Sequence, residues 1–374
     1  MNLGIYKNLP TKLHLEPTTE CNARCPQCPR TFNSSLLTQP RLKITEWNPQ
    51  DLKSVLEDEF FKDLNYVLIN GNYGDIVMHS NPKELIQVLL DRNVTYVVIN
   101  TNGGALNAKF WSWLGSLGKI IVEFGIDGLE DTHHLYRRNT RFDVVMKNAK
   151  AFIDAGGYAY WVMTTFKHNE HQIEDCKRLS KEFGFKQFKE RPSTRWDKKD
   201  HVILGNDMEE SYRLEPATSI ADRFKDLPKS IHENVDIPLT SAISIDELRP
   251  QPATPAICEI SCSVAKDNSV YLSAGGNLYP CCWTANEHEK SFIECVDSSF
   301  VKTFHKELGY NLNFNNVIDN KISDIIDSGL FTRIEDSWFS SKQINACAKT
   351  CGIKSNYNYQ VSKSNINIIK DSDK

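Results

Sequence analysis

Residues 13–30 read LHLEPTTECNARCPQCPR. A short apolar run, Leu13 to Glu16, passes directly into a loop holding Cys21, Cys25 and Cys28 among three prolines. Proline fixes φ and removes an N–H, so this loop does not continue as a regular helix. A strand followed by a chemically loaded loop is the first half of a βα unit, and the pattern repeats outward from it. Five more candidate strands follow at Tyr66 to Ile69, Tyr96 to Asn100, Ile120 to Ile126, Tyr158 to Phe166 and Phe185 to Glu190, most of them rich in β-branched and aromatic residues. Amphipathic stretches fit between them. Asn48-Pro49 and Asn81-Pro82 each place a capping side chain before a proline at the first helical position, opening helices that run to Phe61 and Asp91. A further helix spans Asp143 to Ala155, with Gly156-Gly157 as its stop.

This alternation predicts an α/β fold with a parallel sheet. Six units in roughly 180 residues are too few for a complete eight-fold barrel of about 250 residues, so a partial (βα)6 TIM-like barrel is expected. Sites on such folds gather where loops leave the C-terminal ends of the strands.

The chain has 374 residues, 40% of them apolar, with 44 Lys plus Arg against 48 Asp plus Glu and a net charge of -4. That is enough for one large domain and a smaller one, and it excludes disordered and collagen-like classes. The charge balance gives no broad footprint for nucleic acid or anionic lipid. No apolar stretch has signal-peptide length and none reaches the ~18 residues of a bilayer span, so no membrane partner and a cytoplasmic location are expected. Four regions are read: the barrel over 1–191, a polar, proline-bearing connecting region with a short helix or two over 192–255, a small α+β domain over 256–354, and a loose polar tail over 355–374. The small domain opens with a candidate hairpin, Ser269 to Leu272 and Asn277 to Pro280 around Gly275-Gly276.

Eleven cysteines are distributed as the first triplet, a solitary Cys176 and seven from Cys258 onward. In a large chain without secretory signals such clusters read as metal or redox sites, two of them here. The C-x3-C-x2-C triplet can hold three corners of a cubane iron-sulfur cluster, leaving one iron open to another ligand. A zinc loop is the alternative, although no fourth Cys or close His follows Cys28.

The triplet after the first strand of a partial barrel resembles the signature of the radical S-adenosylmethionine (SAM) superfamily. That resemblance implies a 4Fe-4S cluster on Cys21, Cys25 and Cys28. SAM would chelate its open iron and be cleaved reductively to methionine and a 5'-deoxyadenosyl radical that takes a hydrogen atom from substrate. Four further segments are similar to the family's SAM-binding elements. Asn70 to Asp75, with Gly71, Asn72, Gly74 and Asp75, resembles the glycine-rich segment for the SAM amino group; Asp75 stands where Glu is common. Asn100 to Gly103, with Asn102, resembles its Thr-Asn-Gly segment. Gly125 to Leu129, with Asp127, resembles its Ser-Ile-Asp-Gly stretch, and Arg137 or Arg138 its carboxylate-binding arginine. Thr164 to Asn169 resembles the polar patch near the ribose, with Thr164 and Asn169 favoured; His168 and His171 read as surface residues. Two departures stand out: Gly125 replaces the usual Ser, and Gln27 replaces an aromatic common before the third cysteine.

The C-terminal cysteines resemble the SPASM or twitch extension, through Cys262-x13-Gly276-x4-Cys281 and a final C-x3-C at Cys347 and Cys351. This implies one auxiliary 4Fe-4S cluster, for which Cys258, Cys262, Cys281, Cys347 and Cys351 compete for four positions. Structural zinc is the alternative there also. Cys282 reads as a packed thiol pointing away from Cys281 along a strand, and Cys176 and Cys295 as buried apolar residues. The resemblance further implies a flavodoxin- or ferredoxin-like electron donor and a substrate that is a peptide side chain or else a small alcohol or sugar. Trp161, Arg195 and Trp196 are candidate substrate contacts. Many peptide-modifying relatives begin with a winged-helix leader-binding module; with twelve residues before Leu13, none is expected here. A rival reading from another class is a zinc-stabilised, non-catalytic binding protein on the same scaffold.

Overall fold

The computed structural model describes residues 3–196, 198–229, 259–293, 311–339 and 343–353. Six parallel strands form its centre: β1 (Lys12–Leu15), β2 (Tyr66–Ile69), β3 (Tyr96–Thr101), β4 (Ile120–Gly125), β5 (Tyr158–Thr165) and β6 (Gln187–Pro192). They pair in chain order, as successive right-handed βα units must. The last differs most from expectation. It begins two residues late, because Phe185 packs its ring on Trp161 at 5.4 Å in the helix-side core and so belongs to the turn that enters the strand.

Side-chain alternation divides the sheet into two faces. Ile120, Val122 and Phe124 enter the core, with Phe124 against Trp111 and Phe152 of the covering helices α3 (Ala108–Gly115) and α4 (Phe142–Asp154). Glu123 and Gly125 therefore face the concave interior, together with Tyr160, Lys189 and Arg191 of the strands beyond. Helices α1 (Pro49–Leu56) and α2 (Pro82–Asp91) open at their prolines. Asn48 caps α1, accepting from the N–H of Gln50 at 2.8 Å, whereas Asn81 makes no side-chain bond to its helix. The first helix also stops at Leu56, and Phe60 and Phe61 are buried from a separate short 3-10 turn capped by Asp58.

Two features of the second half depart from expectation. The connecting region contains a β-hairpin, β7 (His201–Leu204) and β8 (Glu210–Leu214), followed by a 3-10 segment, Thr218–Phe224, where one or two helices were expected. Val202 and Ile203 before the Gly205-Asn206-Asp207 turn are the β signal in that stretch. The expected C-terminal hairpin is present as β9 (Ser269–Leu272) and β10 (Leu278–Tyr279), but it is not a separate sheet. Strand β9 pairs in parallel with β1, and one eight-stranded sheet runs β10-β9-β1-β2-β3-β4-β5-β6. Both halves of the chain share one core, in which Phe331 lies edge-on to Tyr6 at 4.9 Å. Among the described residues no helix is long and apolar enough to cross a membrane.

Candidate active site

The loop after β1 carries Cys21, Cys25 and Cys28 at the C-terminal edge of the sheet, with no regular helix through it. Hydrogen-bond donors converge on its sulfurs. The backbone N–H of Ala23 lies 3.4 Å from Cys21 Sγ and Asn102 Nδ2 lies 3.7 Å from it, while Arg137 Nη1 stands 4.0 Å from Cys25 Sγ. Burial pushes the Cys21 and Cys25 thiols up, Cys25 to about 11, and the neighbouring thiols push them further. Arg137 opposes this at Cys25. Thiols whose pKa is raised in this way, with donors aimed at the Cys21 and Cys25 sulfurs, are relieved when a cationic group binds and draws off their protons. Among the described residues no three His, Cys, Asp or Glu side chains are arranged to hold a single metal ion. Three free thiols on one loop are the donor set of an iron-sulfur group, which Cys21, Cys25 and Cys28 would hold.

Arg137 is fixed from below. Its Nε donates to Asp127 Oδ2 at 2.6 Å, and Asp127, fully buried, also accepts from the Thr164 N–H at 2.5 Å through Oδ1. The Asp127 N–H donates to His133 Nδ1, and Asn169 Nδ2 donates to the Asp127 carbonyl. Gly125 explains its departure from the family pattern here. A Cβ at this position would meet Arg137 Nη2 at 2.4 Å, so the missing side chain is the space that the guanidinium occupies. Of the two arginines left open by the sequence, Arg137 turns toward the cysteine loop. Arg138 instead donates to the carbonyls of Ser34, Ser35 and Leu204, tying the cysteine loop to the β7-β8 hairpin.

The glycine segment after β2 is held from three sides. A Cβ on Gly74 would lie 1.7 Å from the Thr18 carbonyl oxygen, so the backbones touch there. Asp75 has both carboxylate oxygens engaged: Oδ1 accepts from Thr101 Oγ1 at 2.8 Å and Val77 N, and Oδ2 from Asn102 N at 2.8 Å and Asn102 Nδ2 at 2.7 Å. Asn102 then reaches Asn22 Oδ1 at 2.9 Å, which places it and Asp75 as braces between β3 and the cysteine loop. Asn72 Nδ2 donates to the Cys282 carbonyl at 2.9 Å. Gln27 also braces: it accepts from Ser193 Oγ and donates to the Arg195 carbonyl, latching the cysteine loop to the chain leaving β6.

Several candidates lie elsewhere. Trp161 is buried on the helix side, its Nε1 donating to the Ile126 carbonyl, and Trp196 is buried in a second cluster with Tyr136 and Phe166. Trp161 therefore does not face the interior, Trp196 packs in a cluster that reaches Cys25, and Arg195 is exposed. Asn169 is fully buried with its amide engaged by backbone. His171 is exposed as expected, but the ring nitrogens of His168 are buried without a hydrogen-bond partner, its ring stacked on Phe166 at 5.4 Å. Glu16 was not singled out from the sequence, yet it is fully buried at the end of β1 and receives the Tyr73 N–H at 2.7 Å. Its one signal is a carboxylate closing an apolar run just before the cysteines.

The C-terminal thiols converge as well. Cys262 and Cys351 hydrogen-bond to each other, which lowers Cys351 to about 6 and raises Cys262. Cys281 is pushed up by burial and by Cys351, and Cys347 by burial and by Cys281. Cys282 is not in a strand but starts the helix Cys282–Ile293, and it packs against Tyr271 and Tyr279. Cys176 is fully buried in the core as expected, while Cys258 and Cys295 lie outside the described residues.

An open parallel βα barrel with a three-cysteine loop at its strand ends and an arginine-carboxylate pair beside it puts a thiol-bearing site at the mouth of a partial barrel. The family model described as the Radical SAM superfamily matches residues 15–179, so that part of the chain is a radical SAM domain. The fold is shared with SuiB from Streptococcus suis, at TM-score 0.52 and 14% identity, covering 88% of this chain and 68% of that one. It is shared also with anSMEcpe solved with bound AdoMet, at TM-score 0.50 and 13% identity, covering 88% of this chain and 84% of that one. No curated protein matches the sequence.

Proposed function

We propose that this enzyme modifies a side chain of a peptide or protein by hydrogen abstraction, using SAM and a 4Fe-4S cluster held by Cys21, Cys25 and Cys28. The observation that carries this reading is the placement of Arg137 between Cys25 and Asp127. Its Nε is spent on Asp127, which aims the rest of the guanidinium at the space beside the cysteine loop, where a carboxylate can be taken in two parallel bonds. When bound, the cluster and SAM together supply the primary radical. The protein's part is to grip the two ends of the amino acid moiety and to keep water away. Arg137 takes the carboxylate. Because Asp75 has no free oxygen, backbone carbonyls of the close-packed 71–74 segment take the amino group.

The concave face supports a polar substrate. Glu123, buried, accepts from Lys189 Nζ at 2.5 Å and Arg191 Nη2 at 3.5 Å, and Lys189 lies over the Tyr160 ring at 4.4 Å. Asn100 adds a buried carbonyl oxygen without a partner. Backbone amides and polar side chains of a peptide match such a lining better than an apolar molecule would. The C-terminal thiols Cys262, Cys281, Cys347 and Cys351 make a four-ligand set for one auxiliary 4Fe-4S cluster, which would accept the electron left on an oxidised product, with a flavodoxin- or ferredoxin-like protein as outside donor.

The test is anaerobic reconstitution followed by iron and sulfide analysis and by incubation with SAM and dithionite. About eight irons per chain and 5'-deoxyadenosine that disappears in Cys25→Ala are expected. Deuterium passing into deoxyadenosine from side-chain-deuterated peptides, and not from deuterated sugars or alcohols, assigns the substrate class; the reverse pattern moves the reading to small-molecule dehydrogenation. Zinc without iron, and no deoxyadenosine, would overturn it.

A further inference from the structure

We propose that Glu16, Asn72 and Tyr271 are positioning residues through which the C-terminal domain sets the shape of the SAM-binding glycine segment. The inference rests on the reading above that residues 71–75 and Arg137 hold SAM. Glu16 is the centre of the arrangement. Its Oε1 accepts from the N–H groups of Tyr73 at 2.7 Å and Gly74 at 3.4 Å, while Oε2 accepts from the Tyr271 hydroxyl at 2.9 Å. The Ala274 N–H hydrogen-bonds to the same carboxylate. Two of these donors belong to the glycine segment, and the other two to the C-terminal hairpin.

Burial alone pushes the Glu16 carboxyl up and the surrounding donors oppose this, so losing the donors of one side leaves a carboxylate oxygen unsatisfied in a low-dielectric interior. The segment therefore keeps its shape only while the hairpin is in place. Two more bonds span the same boundary. Asn72 Nδ2 reaches the Cys282 carbonyl at 2.9 Å, and Tyr73 Oη reaches Asn286 Oδ1 at 3.2 Å. Cys282 directly follows Cys281, one of the four thiols proposed for the auxiliary cluster, so the bond to Asn72 begins one residue from that site. The fit leaves no slack, because a Cβ on Gly71 would come within 2.8 Å of Glu16 Oε1. Coupling of this kind is reciprocal: whatever orders the C-terminal domain strengthens SAM binding, and SAM orders that domain in return.

The experiment uses the full reconstituted chain. It measures SAM Kd by equilibrium dialysis, iron content, and amide exchange over residues 71–75 for Glu16→Ala, Glu16→Gln, Asn72→Ala, Tyr271→Phe and Arg137→Met. Glu16→Ala is expected to raise Kd by about 10-fold or more, with iron retained and with faster exchange at Tyr73 and Gly74. Glu16→Gln keeps an oxygen for both N–H groups and restores most of the affinity; the loss in Tyr271→Phe, which keeps the ring and removes only the hydroxyl, is what a purely space-filling role would not predict. Tyr271→Phe and Asn72→Ala each raise Kd by about 3-fold or more, and Tyr271→Phe carries the test if Glu16→Ala does not fold. An unchanged Kd in Tyr271→Phe and Asn72→Ala, alongside a weakened Arg137→Met, overturns the coupling and leaves the SAM site standing. An unchanged Kd in Arg137→Met overturns the SAM reading itself, and the inference with it.

Discussion

At the scale of the residue, the site turns on which side chain is absent. Gly125 lacks the hydroxyl of its counterparts, and the guanidinium of Arg137 fills the space that a Cβ would need. Gly125→Ser should therefore push Arg137 off its line between Asp127 and Cys25 and weaken SAM binding by about 10-fold, read as a rise in Kd at unchanged iron content. His133 carries a second prediction. Its Nδ1 accepts from the Asp127 N–H and its Nε2 meets Thr140 Oγ1 at 3.0 Å, so only one tautomer of the neutral ring satisfies both. Burial, and then the nearby charge of Arg137, lower its pKa to about 3, and burial lowers that of His14 to about 4. Below the ordinary value near 6.5 the unfolded chain binds protons that the folded chain refuses. Stability is full above about pH 6.5 and falls as pH drops toward 4. The melting temperature should follow that course between pH 7.5 and 4.5, and a flat profile would exclude it.

At the scale of the element, two asparagines before prolines look alike in sequence and differ in the fold. Asn48 caps its helix and Asn81 does not. Asn48→Ala is expected to cost about 1 kcal/mol of stability in denaturant melts, and Asn81→Ala close to nothing. Comparable losses in both variants would contradict this. The β7-β8 hairpin is held to the cysteine loop by Arg138, which donates to Ser34, Ser35 and Leu204 carbonyls, and to the helix Glu130–Tyr136 by the Tyr212 hydroxyl bonded to the Leu135 carbonyl. Arg138→Met should leave the hairpin weakly attached, seen as protease cleavage within residues 201–214 before any other site.

At the scale of the whole molecule, the C-terminal hairpin completes the barrel's sheet. Strand β9 covers the open side of β1 over four residue pairs, Lys12 with Ser269 through Leu15 with Leu272. A chain ended at residue 229 would expose that edge and the apolar surface under Phe331 and Ile326, and it should aggregate where the full chain stays monodisperse in light scattering. A stable, well-dispersed truncated barrel would show that the two halves fold independently.

What the sequence determined by itself was the order of the six βα units, because short β-branched and apolar runs report strands through local propensity and side-chain period. It determined the cysteine loop as well, since thiols at C-x3-C-x2-C spacing carry their chemistry in the spacing alone. Tertiary structure decided the rest, for reasons of distance along the chain. Whether Arg137 or Arg138 faces the cysteines depends on Asp127 below and on the hairpin carbonyl of Leu204 beyond, neither of which a local pattern encodes. That Asp75 and Asn102 brace the loop, that Glu16 holds Tyr73 and reaches Tyr271 255 residues away, and that β9 extends the barrel's sheet all arise from groups brought together only on folding. In a buried site each donor must find an acceptor, and that pairing is settled in three dimensions.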